Sequence, residues 1–80
     1  MMKNNITDWV FDTFHLDTYN VAEISENVGY DITNVQQLAT VLEMMIRELV
    51  AFEEYNVTEN MYANVNWNEL AEWVGRDLTN

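Results

Sequence analysis

Carboxylates are the side chains of this sequence that could do chemistry in number. Fourteen Asp and Glu residues stand against three Lys and Arg residues, so the 80-residue chain has a formal net charge of −11 at pH 7. The acids are spread from Asp8 to Asp77, and their longest run is Glu53-Glu54. This distribution is typical of a decorated folded surface, not of an acidic tail. A field of this sign repels nucleic acid and anionic membranes and attracts basic proteins.

Other reactive side chains are too few to build a catalytic site. His15 is the only histidine, and we interpret it as a residue at the carboxyl end of a helix, where it interacts with the helix dipole and with Asp12 and Asp17. The alternative, a general base or a metal ligand, lacks a second histidine or a cysteine to complete the site. The two glycines are isolated, so they form no phosphate-binding loop. We therefore predict that the protein is not an enzyme.

The acids also fail to match a cation site. Carboxylates bind Ca²⁺ or Mg²⁺ when a compact loop offers several of them at alternate positions, and the sequence contains neither such a loop nor the EF-hand spacing. The absence of cysteine excludes disulfides and cysteine-ligated metals. We expect no metal and no cofactor.

The distribution of the acids is the strongest candidate for a binding site. Helices would place several of them one turn apart, where neighbouring carboxylates lie about 5–6 Å from each other, comparable with the spacing of phosphates along a DNA strand. The acids that we predict to substitute for phosphates are Asp8, Asp12, Glu23, Glu26, Asp31, Glu43, Glu48, Glu54, Glu69, Glu72 and Asp77. The alternative is acidity for solubility alone, and the near absence of lysine argues against it.

Three large apolar residues, Phe11, Met44 and Trp73, lie off the tight apolar stripes of their predicted helices. Exposed apolar residues beside acids would indicate a protein interface. The alternative is that neighbouring helices or loops cover them. The sequence fits both interpretations.

Four predicted helices position these residues. Apolar periodicity and capping patterns place them at about residues 5–15, 20–28, 33–55 and 66–78. Residues 58–62 are expected to add a short turn of helix. Asn20 with Glu23, and Asn66 with Glu69, are the predicted N-caps of the second and fourth helices.

The third helix is predicted to be the centre of the fold. Its heptad stripe comprises Val35, Leu38, Leu42, Met45, Leu49 and Phe52, and Val41, Ile46 and Val50 widen the apolar arc to about half the circumference. Thr33 and Gln36 are the predicted capping box, and Glu43 and Arg47 pair one turn apart on the opposite face. The stripe is equally compatible with an internal core and with a homodimer seam, so the sequence leaves the oligomeric state open.

Length and composition predict one small all-α domain. Hydrophobic residues make up 49% of the chain, which is more than a disordered acidic segment carries. No apolar run approaches the roughly 20 residues of a membrane span, and no signal-peptide pattern is present. We expect a four-helix domain around a long central helix.

Two parts of the sequence resemble DNA-mimicking inhibitors that phages and mobile elements use against host defence. Val10-Phe11-Asp12, followed by Glu26-Asn27 and Tyr30-Asp31 before an amphipathic helix, is similar to the amino-terminal half of the Ocr-type anti-restriction protein. Residues 67–78, which end in Arg76-Asp77-Leu78, resemble the aromatic and then Arg-Asp-Leu ending of ArdA-type anti-restriction proteins. The chain is shorter and less acidic than the Ocr type, and it lacks the repeated modules of ArdA.

The resemblance implies a helical, acidic, often dimeric protein that occupies the DNA groove of a restriction or CRISPR enzyme, with Asp12, Glu26 and Asp31 as mimicked phosphates. We therefore expect a non-catalytic inhibitor of a basic DNA- or RNA-binding protein in the cytoplasm of a bacterial host, without direct contact to nucleic acid or membrane. The alternative function is a helical interaction module, such as an adapter, an antitoxin-like neutraliser or a regulator. Such a module would bind through Met44, Phe11 and Trp73.

Overall fold

A computed structural model of the protein describes residues 6–76 and 78. These residues form helices and no β-strand: α1 (Ile6–Thr13), a short 3-10 helix (Leu16–Thr18), α2 (Val21–Val28), α3 (Val35–Glu53), α4 (Glu59–Ala63) and α5 (Trp67–Val74). The prediction of a small all-α domain around a long central helix is confirmed. None of the helices found in this part of the chain combines the length and apolarity needed to cross a membrane.

The central helix α3 supplies the largest share of the hydrophobic core. It buries Val35, Leu38, Ala39, Val41, Leu42, Ile46 and Val50. The helix that packs most extensively against α3 is α5, which contributes the fully buried Leu70 and Ala71. Val10 and Phe14 from the first helical segment and Ile24 from α2 complete the same apolar cluster.

The predicted heptad stripe leaves the buried face at the carboxyl end of α3. Phe52, its last member, is 84% exposed, and Met45 and Leu49 are only partly buried. A straight α-helix has 3.6 residues per turn, so a 3.5-residue stripe drifts by about 20° per heptad relative to one face. The core follows Ile46 and Val50 instead. Phe52 therefore lies outside the internal core of this chain, and the alternative of a homodimer seam stays a prediction.

Asparagine side chains cap two helices as predicted. The Glu23 N–H donates to Asn20 Oδ1 at 2.9 Å at the start of α2, and the Glu69 N–H donates to Asn66 Oδ1 at 3.0 Å at the start of α5. Gly29 ends α2 in the left-handed conformation with φ 85°, which glycine adopts without steric cost. These three residues fix the limits of α2 and the beginning of α5.

The predicted capping box of the central helix is wrong by one residue. Asn34, not Thr33, is the N-cap, and its Oδ1 accepts a hydrogen bond from the Gln37 N–H at 2.9 Å. Gln37, not Gln36, reaches back, and its Oε1 accepts from the Thr33 N–H at 2.8 Å. Asparagine caps helices at least as well as threonine, which accounts for an N-cap at Asn34 in place of Thr33.

Three helices are shorter than predicted. The central helix, predicted at about residues 33–55, comprises Val35–Glu53. The first ends at Thr13, because His15 adopts a left-handed conformation with φ 53° before the 3-10 helix. The fifth ends at Val74, not near residue 78, and Gly75 follows it. A Cβ atom on Gly75 would lie 2.7 Å from Leu38 Cδ2, so the chain leaves α5 in close contact with α3.

One aromatic residue of α1 is only partly covered by the rest of the fold. Trp9 is 37% exposed. Its ring lies edge-on to Phe14, at a centroid distance of 6.0 Å, and to Tyr55, at 6.1 Å. The indole ring of tryptophan is large, so tryptophan is rarely fully buried.

A buried threonine joins the two ends of the described chain. Thr7 is 3% exposed, and its Oγ1 accepts a hydrogen bond from the Asn66 N–H at 2.8 Å. Since Asn66 also caps α5, this bond ties α1 to the start of α5. Nothing in the local sequence indicates it.

We expect Thr7→Val to lower the free energy of unfolding by about 1–3 kcal/mol, because the side chain keeps its shape but leaves the Asn66 N–H without its partner. Thr7→Ser retains the hydroxyl group and should lose less. Urea unfolding of both variants measures the difference. A Thr7→Val protein as stable as the original would show that this hydrogen bond does not stabilise the fold.

Candidate protein-binding surfaces

The predicted acids among the described residues lie on the surface of the fold. Exposed ones are Asp12, Glu23, Glu26, Asp31, Glu48, Glu54 and Glu72, and half-buried ones are Asp8, Glu43 and Glu69. Asp77 lies outside the described residues. None of the acids in residues 6–76 is buried. The fold therefore directs its negative charge to solvent.

Five of the predicted residues line one concave surface between α1 and α5, which we call the α1–α5 hollow. It has a volume of about 600 Å³ and is lined by Asp8, Phe11, Asp12, Glu72, Trp73 and Arg76. The Phe11 and Trp73 rings meet edge to face with their centroids 5.1 Å apart. Carboxylates and aromatic rings can both bind a cation, by charge and by the ring face respectively. This hollow thus has the chemistry to contact basic side chains.

Phe11 and Trp73 are not isolated exposed apolar groups. Both are half-buried and pack against the hydrophobic core. Of the two interpretations that the sequence allowed, coverage by neighbouring helices applies to these two residues. Met44 differs, because it remains 52% exposed.

Three further predicted acids share a second concave surface, the α2 hollow. It has a volume of about 660 Å³ and is lined by Asn20, Ala22, Glu23, Ser25, Glu26, Gly29, Tyr30 and Asp31. The Ser25 hydroxyl is engaged in the fold, since its Oγ accepts a hydrogen bond from the Ile32 N–H at 3.1 Å. Glu23, Glu26 and Asp31 leave this hollow anionic.

The remaining predicted acids line neither hollow. Glu48 borders a groove between α2 and α3. Glu54 is the C-cap of α3 in a left-handed conformation with φ 58°, and Glu69 lies half-buried in the first turn of α5. The structure therefore gathers six of the predicted acids into two surfaces and leaves the others separate.

Arg47 neutralises one predicted acid and one that was not predicted. Its Nη2 lies 3.0 Å from Glu43 Oε2, as the sequence predicts, and its Nη1 lies 2.9 Å from Glu59 Oε2. The guanidinium Cζ also lies 4.0 Å from the centroid of the Tyr62 ring, in cation–π geometry. Arg47 therefore joins α3 to α4, and Glu43 is already paired within the fold.

This cluster shifts three pKa values. The hydrogen bond from Arg47 holds the pKa of the Glu59 carboxyl below its ordinary value. The hydrogen bonds to Glu59 and Glu43 raise the pKa of the Arg47 guanidinium. Burial raises the pKa of the Tyr62 hydroxyl. The charged forms of Arg47 and Glu59 are thus favoured at neutral pH.

Acids occupy the carboxyl ends of the longer helices, where the helix dipole opposes them. Asp12, Glu26, Glu53 and Glu72 lie in the last turns of α1, α2, α3 and α5 respectively. No described helix has a basic residue in its last turn. At these four carboxyl ends the negative pole of the helix dipole adds to the field of the acids. In the first turns of α1, α2, α4 and α5 the dipole instead favours an acid: Asp8, Glu23, Glu59 and Glu69 respectively.

Other chemistries find little support in the described part of the chain. Its His, Asp and Glu side chains form no group of three or more that could hold a metal ion. His15 is exposed. No family model, curated protein or solved structure matches this chain, so the resemblance to anti-restriction proteins stays a prediction.

Glu59→Gln should reduce stability at neutral pH but not in acid. The folded pKa of Glu59 lies below its ordinary value of 4.5, so its ion pair stabilises the fold above that value and the stabilisation is lost as the pH falls through the lowered pKa. Urea unfolding of the protein and the variant, from pH 7 to about pH 3, should show a difference that closes in acid.

Glu53→Gln is the matched control, because it removes one charge without touching Arg47. This control should unfold with at least the stability of the original protein at pH 7. A deficit of Glu59→Gln that stays constant across the whole pH range would contradict the ion-pair assignment.

Proposed function

We propose that this protein is a non-catalytic inhibitor that occupies the basic nucleic-acid-binding cleft of a host defence protein, with carboxylates in place of DNA phosphates. The observation that carries the proposal is the placement of predicted acids at the carboxyl ends of α1, α2 and α5, without a basic residue in any of those last turns. This placement opposes the helix dipoles and lowers the stability of the fold. Arrangements that break a local rule are expected where function requires them.

Solubility alone accounts less well for this pattern. A small domain stays soluble with mixed charges and a modest net charge, whereas this chain has −11 and only three basic residues. Solubility also does not depend on where along a helix an acid lies. An inhibitor that replaces DNA needs both a strong negative field and fixed positions.

The two hollows supply such positions. Asp12 and Glu72 border the α1–α5 hollow, and Glu26 and Asp31 border the α2 hollow. Three of these four acids are the mimicked phosphates that the resemblance implies. Three of the four lie on packed helices, and Asp31 lies in the segment between α2 and α3. We expect this fold to present them to Lys and Arg side chains of a DNA-binding cleft without prior ordering, which favours affinity.

Capture by charge sets the expected kinetics. Complementary fields speed association and make it sensitive to salt. The bound inhibitor then excludes DNA by occupying the same basic residues. No bond is made or broken in this mechanism.

The test uses proteins of a bacterial lysate retained on immobilised duplex DNA, with their release measured as the inhibitor is added. We expect Asp12→Asn with Glu72→Gln to raise the concentration needed for release about tenfold, since two central ion pairs are lost. Asp17→Asn with Glu53→Gln removes the same charge from positions outside the predicted set and should change it about twofold or less. Release should weaken steeply as salt is raised.

Equal effects of the two double variants would show that net charge, not position, drives release. Absence of release at low salt by the unmodified protein would contradict DNA mimicry altogether.

The second candidate function is a helical interaction module bound through apolar surface, and the 52% exposure of Met44 favours it. In that case Met44→Asp should abolish partner binding, while Asp12→Asn with Glu72→Gln should do little. The inhibitor proposal expects the reverse order. Both variants are compared in the same release assay and in a pull-down at low and high salt.

A further inference from the structure

An apolar groove runs between α2 and the carboxyl half of α3. This α2–α3 groove has a volume of about 640 Å³ and is lined by Tyr19, Asn27, Val28, Met45, Glu48, Leu49 and Phe52. Met45, Leu49 and Phe52 are spaced by four and three residues, so they share one face of α3. Neither hollow described above includes any of these seven residues.

The groove exposes more apolar surface than a solvated helix face normally does. Phe52 is 84% exposed, the largest exposure among the large hydrophobic residues of the described chain. Met45 and Leu49 are half-buried and continue its apolar surface towards the core. Contiguous apolar surface bordered by polar residues indicates a protein interaction site.

The border of the groove is anionic. Glu48 lines it, and Glu53 and Glu54 directly follow Phe52 at the end of α3. Asn27 and Val28 belong to the last turn of α2, which has no basic residue to offset the negative end of its dipole. An apolar floor with a negative border complements an apolar face with basic flanks.

We propose that the α2–α3 groove binds a basic amphipathic helix of a partner protein. The apolar face of that helix packs against Met45, Leu49 and Phe52, and its Lys or Arg residues face Glu48 and the carboxyl end of α3. The segment from Met45 to Phe52 extends about 10 Å at 1.5 Å per residue, which matches anchors at positions i, i+3 or i+4, and i+7 of a partner helix.

A second copy of the chain is a poorer occupant. It would bring a net charge of −11 against −11, and like charges across an interface oppose association. A basic helix is instead attracted by the negative field of this chain. The proposal does not rest on DNA mimicry, because it concerns a surface separate from the two hollows.

The test titrates the full-length protein with a synthetic peptide of roughly 18 residues, long enough to form a helix. The peptide has Leu at the i, i+3, i+4 and i+7 positions and Lys elsewhere, and binding is followed by calorimetry. A control peptide of the same composition has its leucines spread around the helix. We expect Phe52→Ser to weaken binding of the amphipathic peptide about tenfold, and Phe52→Leu to restore most of it.

Met44→Ser is the matched control variant, since Met44 is an exposed apolar residue of the same helix outside the groove. It should bind within about twofold of the original protein. Phe52 is so exposed that Phe52→Ser is expected to leave the fold intact, and circular dichroism checks this.

Three results would overturn the proposal. Equal binding of both peptides, or equal binding by Phe52→Ser and the original protein, would show attraction by charge without the groove, and DNA mimicry would still stand. A concentration-dependent dimer in sedimentation that Phe52→Ser abolishes would assign the groove to a second copy. If the groove is confirmed while the DNA-release assay fails, only the inhibitor function is lost.

Discussion

Apolar packing around α3 is the interaction on which the rest of this structure depends. A chain with a net charge of −11 repels itself when it is compact, and the core must exceed that repulsion. Four of the seven largest fully buried side chains, Leu38, Val41, Leu42 and Ile46, come from α3. The acids of the described residues all lie outside this core. The fold thus separates a neutral interior from an anionic surface.

Few cations are present to reduce the surface charge. Both salt bridges between described residues use Arg47, which joins α3 to α4 through Glu43 and Glu59. Arg76 borders the α1–α5 hollow. In the proposed complex, negative charge that destabilises the isolated protein would contribute favourable energy.

Local signals in the sequence predicted local structure well. Asn20 and Asn66 cap their helices as expected, and Glu43 pairs with Arg47 one turn away. The heptad pattern did not reveal that Phe52 lies outside the internal core, because apolar type and spacing do not show how far a straight helix drifts from its neighbours. Phe52 is the exposed apolar residue on which the proposed binding at the α2–α3 groove depends.

Long-range contacts could not be predicted from the sequence. Phe11 meets Trp73 across the hollow, and Thr7 holds Asn66 across 59 positions, although no periodicity links these residues. Each acid of the α1–α5 hollow was predicted individually, but only the packing of α1 on α5 places Asp8, Asp12 and Glu72 around one concave surface. Tertiary packing thus converts a scattered acidic composition into defined surfaces.

Apolar packing places several carboxylates, among them Asp12 and Glu72, around one concave surface, where we expect their charges to repel each other. The most direct measurement is urea unfolding of the full-length protein at pH 7 as NaCl is raised from 0.1 M to 1 M, over which the screening length falls from about 10 Å to about 3 Å. We predict that the urea concentration at the midpoint of unfolding rises with salt, because salt screens the repulsion between acids in the folded state. A midpoint that stays constant or falls would contradict it, since the acids would then be already neutralised or too far apart to form a recognisable array.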